Sequence, residues 1–228
     1  MNVIFLIVII GMTIVSYFLM KWIYGRFPHP ILVPVFTTTI VLVCLLLVTN
    51  TSYTTYMSGA KWINELLGPA IVAFAIPLYD YRETLKKNAL TIFVSVLVGS
   101  IVGIISGIIL GISTHVNKEL IFSLAPKSVT TPIAMGISEM VGGTPALAAV
   151  YVVIAGISGA MFGPFLMRVF KIKHSISKGI GFGTAAHAIG TSRALENSEV
   201  EGAFSSIAMT VSAIITSFLC PIILSFFF

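Results

Sequence analysis

Long runs without a single charged side chain alternate along this chain with short clusters of Lys, Arg, Asp and Glu. Residues 1 to 20, 27 to 60, 88 to 117, 140 to 167 and 202 to 228 contain none, and each run has at least 20 residues. A helix of about 20 apolar residues crosses the hydrocarbon core of a bilayer, so each run predicts a membrane span. Three more uncharged runs, 66 to 79, 128 to 138 and 179 to 192, have 14, 11 and 14 residues, too few for comfortable independent spans.

Composition agrees with this pattern. Of 228 residues, 57% are hydrophobic and 9% charged, against roughly 25% charged in soluble domains. No charge-rich stretch approaches the roughly 50 residues of an appended soluble domain. The net charge of +5 is therefore read as membrane topology, and no nucleic-acid partner is expected. Cys44 and Cys220 lie in apolar runs without CxxC spacing, so they are assigned to packing, and neither a metal nor a cofactor is expected. The first 20 residues lack a basic leader and a small-residue cleavage site, which predicts a retained first span.

The basic clusters orient the chain. Lys21 and Arg26, then Arg82, Lys86 and Lys87, then Arg168, Lys171, Lys173 and Lys178 mark inner loops, because positive loops stay in the cytoplasm. The less basic segments around Lys61 and Glu65, and around Lys118, Glu119 and Lys127, fall outside. Alternation then requires residues 62 to 79 to cross and the two remaining short segments to dip and return. The expected fold is a single all-α integral membrane domain over residues 1 to 228. Its spans lie near 2–20, 31–48, 62–79, 88–113, 144–167 and 203–227, with re-entrant or broken segments near 119–141 and 179–195. If both short segments cross as broken helices, the count rises from six spans to eight.

The two short segments resemble each other. At an offset of 54, Thr130, Ala134, Gly136 and Ser138 fall on Thr184, Ala188, Gly190 and Ser192, in TTPIAMGISE and TAAHAIGTSR. One crossing separates the copies and inverts the second. Inverted repeats with interrupted helices are a plan of secondary transporters, whose unwound backbone groups bind solute near the bilayer midplane. The copies end in Glu139 and Arg193. An ionised group within a bilayer faces a bundle interior or a water-filled path. Arg193 is thus a candidate for gripping a small carboxylate in a bidentate contact, with Glu139 as a coupling group or as its partner in the empty site. Both charges also fit interfacial loops.

His187, inside an apolar run, suits either a proton relay and carboxylate donor or a packing contact to a backbone carbonyl. Ser128, Thr130, Thr131, Thr184, Thr191 and Ser192 are candidate solute-binding hydroxyls, and such groups equally tie membrane helices together. Gly99, Gly103, Gly107 and Gly111 put a small-residue face on one helix, against a partner in the same chain or in a second protomer of a homo-oligomer. Gly156, Gly159 and Gly163 do so less regularly. Neither GxSxG nor HExxH occurs, and an enzyme is not expected.

Several strings carry a family resemblance: FAIPLYDYRE at 74–83, LAPKSVTTPIA at 124–134 with GGT at 142–144, KGIGFGTAAHAIGTSRALE at 178–196, and EGAFSSIAM at 201–209. In these the chain resembles the CidB/LrgB family of bacterial membrane proteins, over essentially its whole length and closer to the CidB branch. The resemblance implies a multi-pass protein of the bacterial cell membrane and two functions. One is partnership with a small holin-like protein of the CidA/LrgA type in controlling murein hydrolase activity, autolysis and programmed cell death. The other is transport of pyruvate, glycolate and similar small monocarboxylates. The paired short segments favour transport.

Overall fold

A computed structural model describes residues 3 to 66, 69, 72, 73 and 75 to 228. The chain divides into two compact units, Met1–Ala73 and Phe74–Phe228. Among the described residues every regular element is helical.

The first unit contains α1 (Val3–Arg26), a 3-10 turn (Pro30–Leu32), α2 (Pro34–Val48) and α3 (Tyr53–Glu65). Pro34 starts α2 where its missing N–H costs nothing. The Tyr56 hydroxyl lies 3.0 Å from Thr13 Oγ1, and a Cβ on Gly59 would lie 2.9 Å from that of Ile9, so α3 packs closely on α1. Helix boundaries here differ from the charge-free runs for a physical reason. α1 continues through Lys21 to Arg26, whose guanidinium sits 4.8 Å above the Trp22 ring. α3 carries Lys61 on an exposed side, over Trp62. A long cationic side chain extends from a helix without ending it. The expected span 62–79 falls on the end of α3 and the start of the second unit, and its residues 67, 68, 70, 71 and 74 lie outside the described ones.

The second unit contains α4 (Ala75–Asp80), α5 (Arg82–Lys87), α6 (Ala89–Ser113), α7 (Lys118–Leu124), α8 (Thr131–Val141), α9 (Pro145–Val169), α10 (Ser175–Asn197) and α11 (Glu199–Phe227). Four described helices are long and apolar enough to cross a membrane: Phe5–Arg26 within α1, then α6, α9 and α11. α11 starts at Glu199 and takes Glu199 and Glu201 into its first turn, where the helix dipole favours carboxylates. Ser198 caps it by accepting a bond from Glu201 N.

Two segments double back. In the first, α7 runs down along α6 from that helix's C-terminal end: Cβ atoms placed on Gly111, Gly107 and Gly103 would meet Ile121, then Leu124 with Lys127, then Ser128. Pro132 and the Thr130 backbone then start α8, which returns until Gly142, at φ 85°, stops it. Thr144 N donates to Ser123 Oγ at 2.7 Å and the Thr144 hydroxyl to Glu119, so the segment ends beside its own start.

In the second, α10 is broken at Ala186 (φ −129°, ψ 15°) and His187 (φ 43°, ψ −134°). A Cβ on Gly190 would lie 2.5 Å from the Phe182 carbonyl oxygen, whereas eight residues of straight helix span about 12 Å. Gly179 and Gly183 meet Glu201 and Ser205 in rising order along α11. Thr191 and Leu195 meet Ser205 and Gly202 in falling order. The two arms therefore run in opposite directions.

Each hairpin has its own half of the core. Ile121, Val129 and Ile137 of the first pack with Ile104, Ile108, Cys220 and Leu224. Ile180 of the second packs with Ile92, Val96, Phe204 and Ala208. Lipid is as apolar as these side chains, so close fit and interhelical hydrogen bonds, such as Ser100 to Ser212 at 3.0 Å, carry the association.

Candidate functional site

The tips of the two hairpins meet the same face of α6. Gly99 faces Thr184 of the second tip, with a notional Cβ 2.7 Å from Thr184 Cγ2, and Gly103 faces Ser128 of the first at 3.3 Å from its Oγ. These glycines are one turn apart, about 6 Å along the axis, and lie near the middle of a 25-residue helix. The glycine stripe thus receives both hairpins of its own chain, which answers within the chain what its sequence spacing left open.

The first tip carries a cation. Lys127 Nζ donates to the Gly103 carbonyl at 2.7 Å and to Ser106 Oγ at 3.1 Å, and Ser106 Oγ itself donates to Gly103 O at 2.8 Å. The orientation rule puts Lys127 in an outer loop. The structure places it beside α6, and the residues flanking it form the turn of the hairpin in the segment 119–141 that is expected to dip and return.

At the second tip, His187 is held in a backbone conformation that L residues rarely adopt. Its Nε2 is 3.0 Å from the Val152 carbonyl oxygen of α9. A carbonyl only accepts, so Nε2 carries the proton and Nδ1 of the neutral ring is left as an acceptor. This is the backbone-carbonyl contact that the sequence offered as one of two readings. Cβ atoms on Gly156 and Gly159 would run into His187 and Ala186, so the glycines of α9 make room for the turn. The Thr184 hydroxyl is buried without a hydrogen-bond partner, as is Ser138 Oγ. Thr191 donates to the His187 carbonyl at 2.9 Å and meets Ser205 Oγ at 2.9 Å, which makes it an internal tie.

A comparison of two substitutions tests the strain at His187. His187→Ala loses the bond to Val152, worth about 1 kcal/mol, and keeps a methyl group at positive φ. His187→Gly loses the same bond but relieves roughly 1–3 kcal/mol of backbone strain. The glycine variant should therefore unfold at the higher temperature in detergent, the reverse of the usual helix ranking.

The other expected site residues are spread out. Thr130 and Thr131 are half-buried at the start of α8, close to the first tip, and Ser192 is exposed beyond the second. Arg193 is six residues beyond His187, about 9 Å along a helix, and its Nη1 donates to Glu196 at 2.8 Å. Glu139 is exposed near the far end of α8. α8 ends by the C-terminal end of α6, whereas the outgoing arm of α10 ends at Asn197 beside Glu201, among the contacts of the opposite half. Pairing with Arg193, one of the two roles open to Glu139, is not seen among the described residues: arms of oppositely directed hairpins diverge beyond their tips.

Sequence reasoning also passed over Glu201. It is 4% exposed and meets Lys178 Nζ at 3.5 Å and Asn197 Nδ2 at 3.0 Å, so one carboxylate joins both feet of the second hairpin.

Residues 13–226 match the LrgB-like family. The chain belongs to this family. The protein YxaC of Bacillus subtilis (strain 168), described as uncharacterized, is 44% identical over 97% of this chain and 96% of its own length. The holin-like protein CidB of Staphylococcus aureus (strain N315) is 34% identical, covering 97% of each chain. CidB of Staphylococcus epidermidis (strain ATCC 12228 / FDA PCI 1200) is 35% identical with the same coverage. No solved structure is significantly similar. The LrgB-like chain is thus a helical membrane protein whose relatives include proteins named holin-like.

Proposed function

We propose that this protein is a multi-pass transporter of small monocarboxylates, of the pyruvate or glycolate kind, in the bacterial cell membrane. The observation that carries the reading is the meeting of two oppositely directed hairpins half-way along α6. Backbone that leaves helical geometry at membrane depth is tolerated where it is buried in protein or lines a cavity. In transporters such breaks sit where solute is bound. In this reading the hairpins enter the bilayer from opposite faces and only their tips are deep. A pore or a regulator of a partner requires neither the two-sided arrangement nor a cation where the tips meet.

Family membership and the holin-like relatives support a role linked to control of murein hydrolase activity. That is the second reading, in which the protein acts beside a small holin-like membrane partner. Transport connects the two if carboxylate flux sets the metabolic state to which lysis responds.

The purified protein in liposomes tests transport directly. Labelled pyruvate or glycolate under a pH gradient should enter with a rate that saturates with concentration. A wild-type protein that moves neither compound in either direction defeats the proposal, and unsaturable leakage appearing only with the holin-like partner establishes the second reading.

A further inference from the structure

We infer that Lys127 is the residue that recognises the carboxylate, with its contacts to Gly103 and Ser106 serving as the resting place of the amine in the empty site. This deepens the transport proposal and rests on it.

The cations on the two hairpins are not equivalent. Lys178 has Glu201 at 3.5 Å and Arg193 has Glu196 at 2.8 Å. Among the described residues, no carboxylate forms an ion pair with Lys127. Its partners are a main-chain carbonyl and a hydroxyl, both neutral, and two bonds leave its third N–H unassigned. Lys127 is half-buried and Ser106 exposed, and within a membrane protein an ionisable group without a counter-charge is costly and marks solute paths. The second observation is the Thr184 hydroxyl. It is 6% exposed, has no hydrogen-bond partner, and belongs to the opposite tip, against Gly99, whereas the resting amine of Lys127 lies against Gly107, two helical turns along α6. A carboxylate bound between the tips would draw the amine from its resting place at Gly107 toward the Thr184 hydroxyl, a second donor for the same group.

The charge count selects the ligand. Lys118, at the foot of the first hairpin, sits over the Phe228 ring. Among the described residues the tips therefore hold one uncompensated cation, which balances one negative charge, and a second carboxylate would be desolvated without a partner. The site therefore favours monocarboxylates over dicarboxylates. The stem of lysine is flexible enough to exchange the α6 carbonyl for a ligand oxygen. Gly103 O and Ser106 Oγ then compete with the ligand for the amine, and weakening them should tighten binding.

The test uses the full chain in proteoliposomes. Lys127→Met should cut pyruvate uptake at least tenfold at sub-saturating concentration, while its detergent melting temperature stays close to wild type. Ser106→Ala should lower the KM for pyruvate about threefold, an effect that a purely structural lysine would not produce. Wild type should prefer pyruvate to malonate by more than tenfold. If wild type transports and Lys127→Met keeps its rate and KM, the inference is overturned while the transport proposal stands. If wild type transports nothing, the transport proposal fails and labelling decides the inference. Ser128→Cys, in a background with Cys44→Ala and Cys220→Ala, is treated with a charged methanethiosulfonate. Millimolar pyruvate should slow the labelling severalfold, and should not when Lys127→Met is added. Equal rates with and without pyruvate, or protection that survives Lys127→Met, overturn it.

Discussion

Gly183→Leu should leave no folded protein, and Gly183→Ala should lower stability by about 2–3 kcal/mol. A Cβ at this position would fall on the Ser205 carbonyl oxygen and within 3.0 Å of Ala208 Cβ. The obstacle is helix backbone, which cannot rotate aside as a side chain would. Overpacking a close contact costs about 1–3 kcal/mol even where neighbours can yield. Leucine adds three more carbons in the same place, against a total stability of about 5–15 kcal/mol for an ordinary domain. The loss is concentrated at one contact. Gly183 lies on the incoming arm of α10, where it and Gly179 let that arm approach α11, and the outgoing arm is bonded to the same helix at Ser205. Gly136→Ala is the control: it also lies in a helix, but no atom is within 4 Å of its notional Cβ. It should gain up to about 1 kcal/mol from helix propensity. Thermal unfolding and size-exclusion profiles in detergent measure all three, and a Gly183→Ala protein that melts with wild type would show that the hairpin is not held by this approach.

The short uncharged runs and the glycine spacing made much of this arrangement legible, because both reflect chemistry that a bilayer constrains strongly. A stripe at 99, 103, 107 and 111 announces a close neighbour on one helix face, and the neighbours turn out to be the two short segments themselves. What charge placement hides is depth. The orientation rule groups Lys127 with Lys118 and Glu119, yet it lies near the middle of 119–141, the part of a dipping segment that goes deepest, and the structure sets it at the turn. The same bias shortens the helices: a rule based on uncharged runs stops short of Lys21 and Lys61 and starts the last helix after Glu201, although all three lie within helices. Pairing Glu139 with Arg193, one of the two roles open to Glu139, runs against a consequence of inversion. Matched positions beyond the tips of inverted hairpins move apart, and only the tips converge. The turns also differ in detail: the first spans residues 125 to 130, whereas Ala186 and His187 fall on Pro132 and Ile133 at the offset of 54. No single-residue spacing encodes that shift, because the second turn depends on α9 glycines and on the Val152 carbonyl.

Lys178→Ala should destabilise the protein by about 2–3 kcal/mol, more than Glu201→Gln, although the two residues form one ion pair at 3.5 Å. The asymmetry follows from burial. The Glu201 side chain is 5% exposed and that of Lys178 30%. Removing the lysine strands a carboxylate out of water, the costly way to break such a pair, at roughly 3–5 kcal/mol when both partners are buried. The partial exposure of Lys178 and the Asn197 bond at 3.0 Å reduce that figure. Removing the charge from Glu201 leaves a lysine that reaches water and an amide whose oxygen still accepts from Asn197, so about 1 kcal/mol is lost. With Glu201→Gln in place there is no stranded charge, and adding Lys178→Ala should cost little more. The double variant should therefore be more stable than Lys178→Ala alone. Melting temperatures of the four proteins in detergent complete the cycle, and simple additivity would mean that Glu201 does not hold the feet of α10 together. Because Lys178 and Asn197 are the two feet and Glu201 begins α11, loosening this contact frees the hairpin at its base without touching either tip. In the transport reading, Lys178→Ala should then raise the rate of solute-independent opening while leaving the preference for monocarboxylates unchanged.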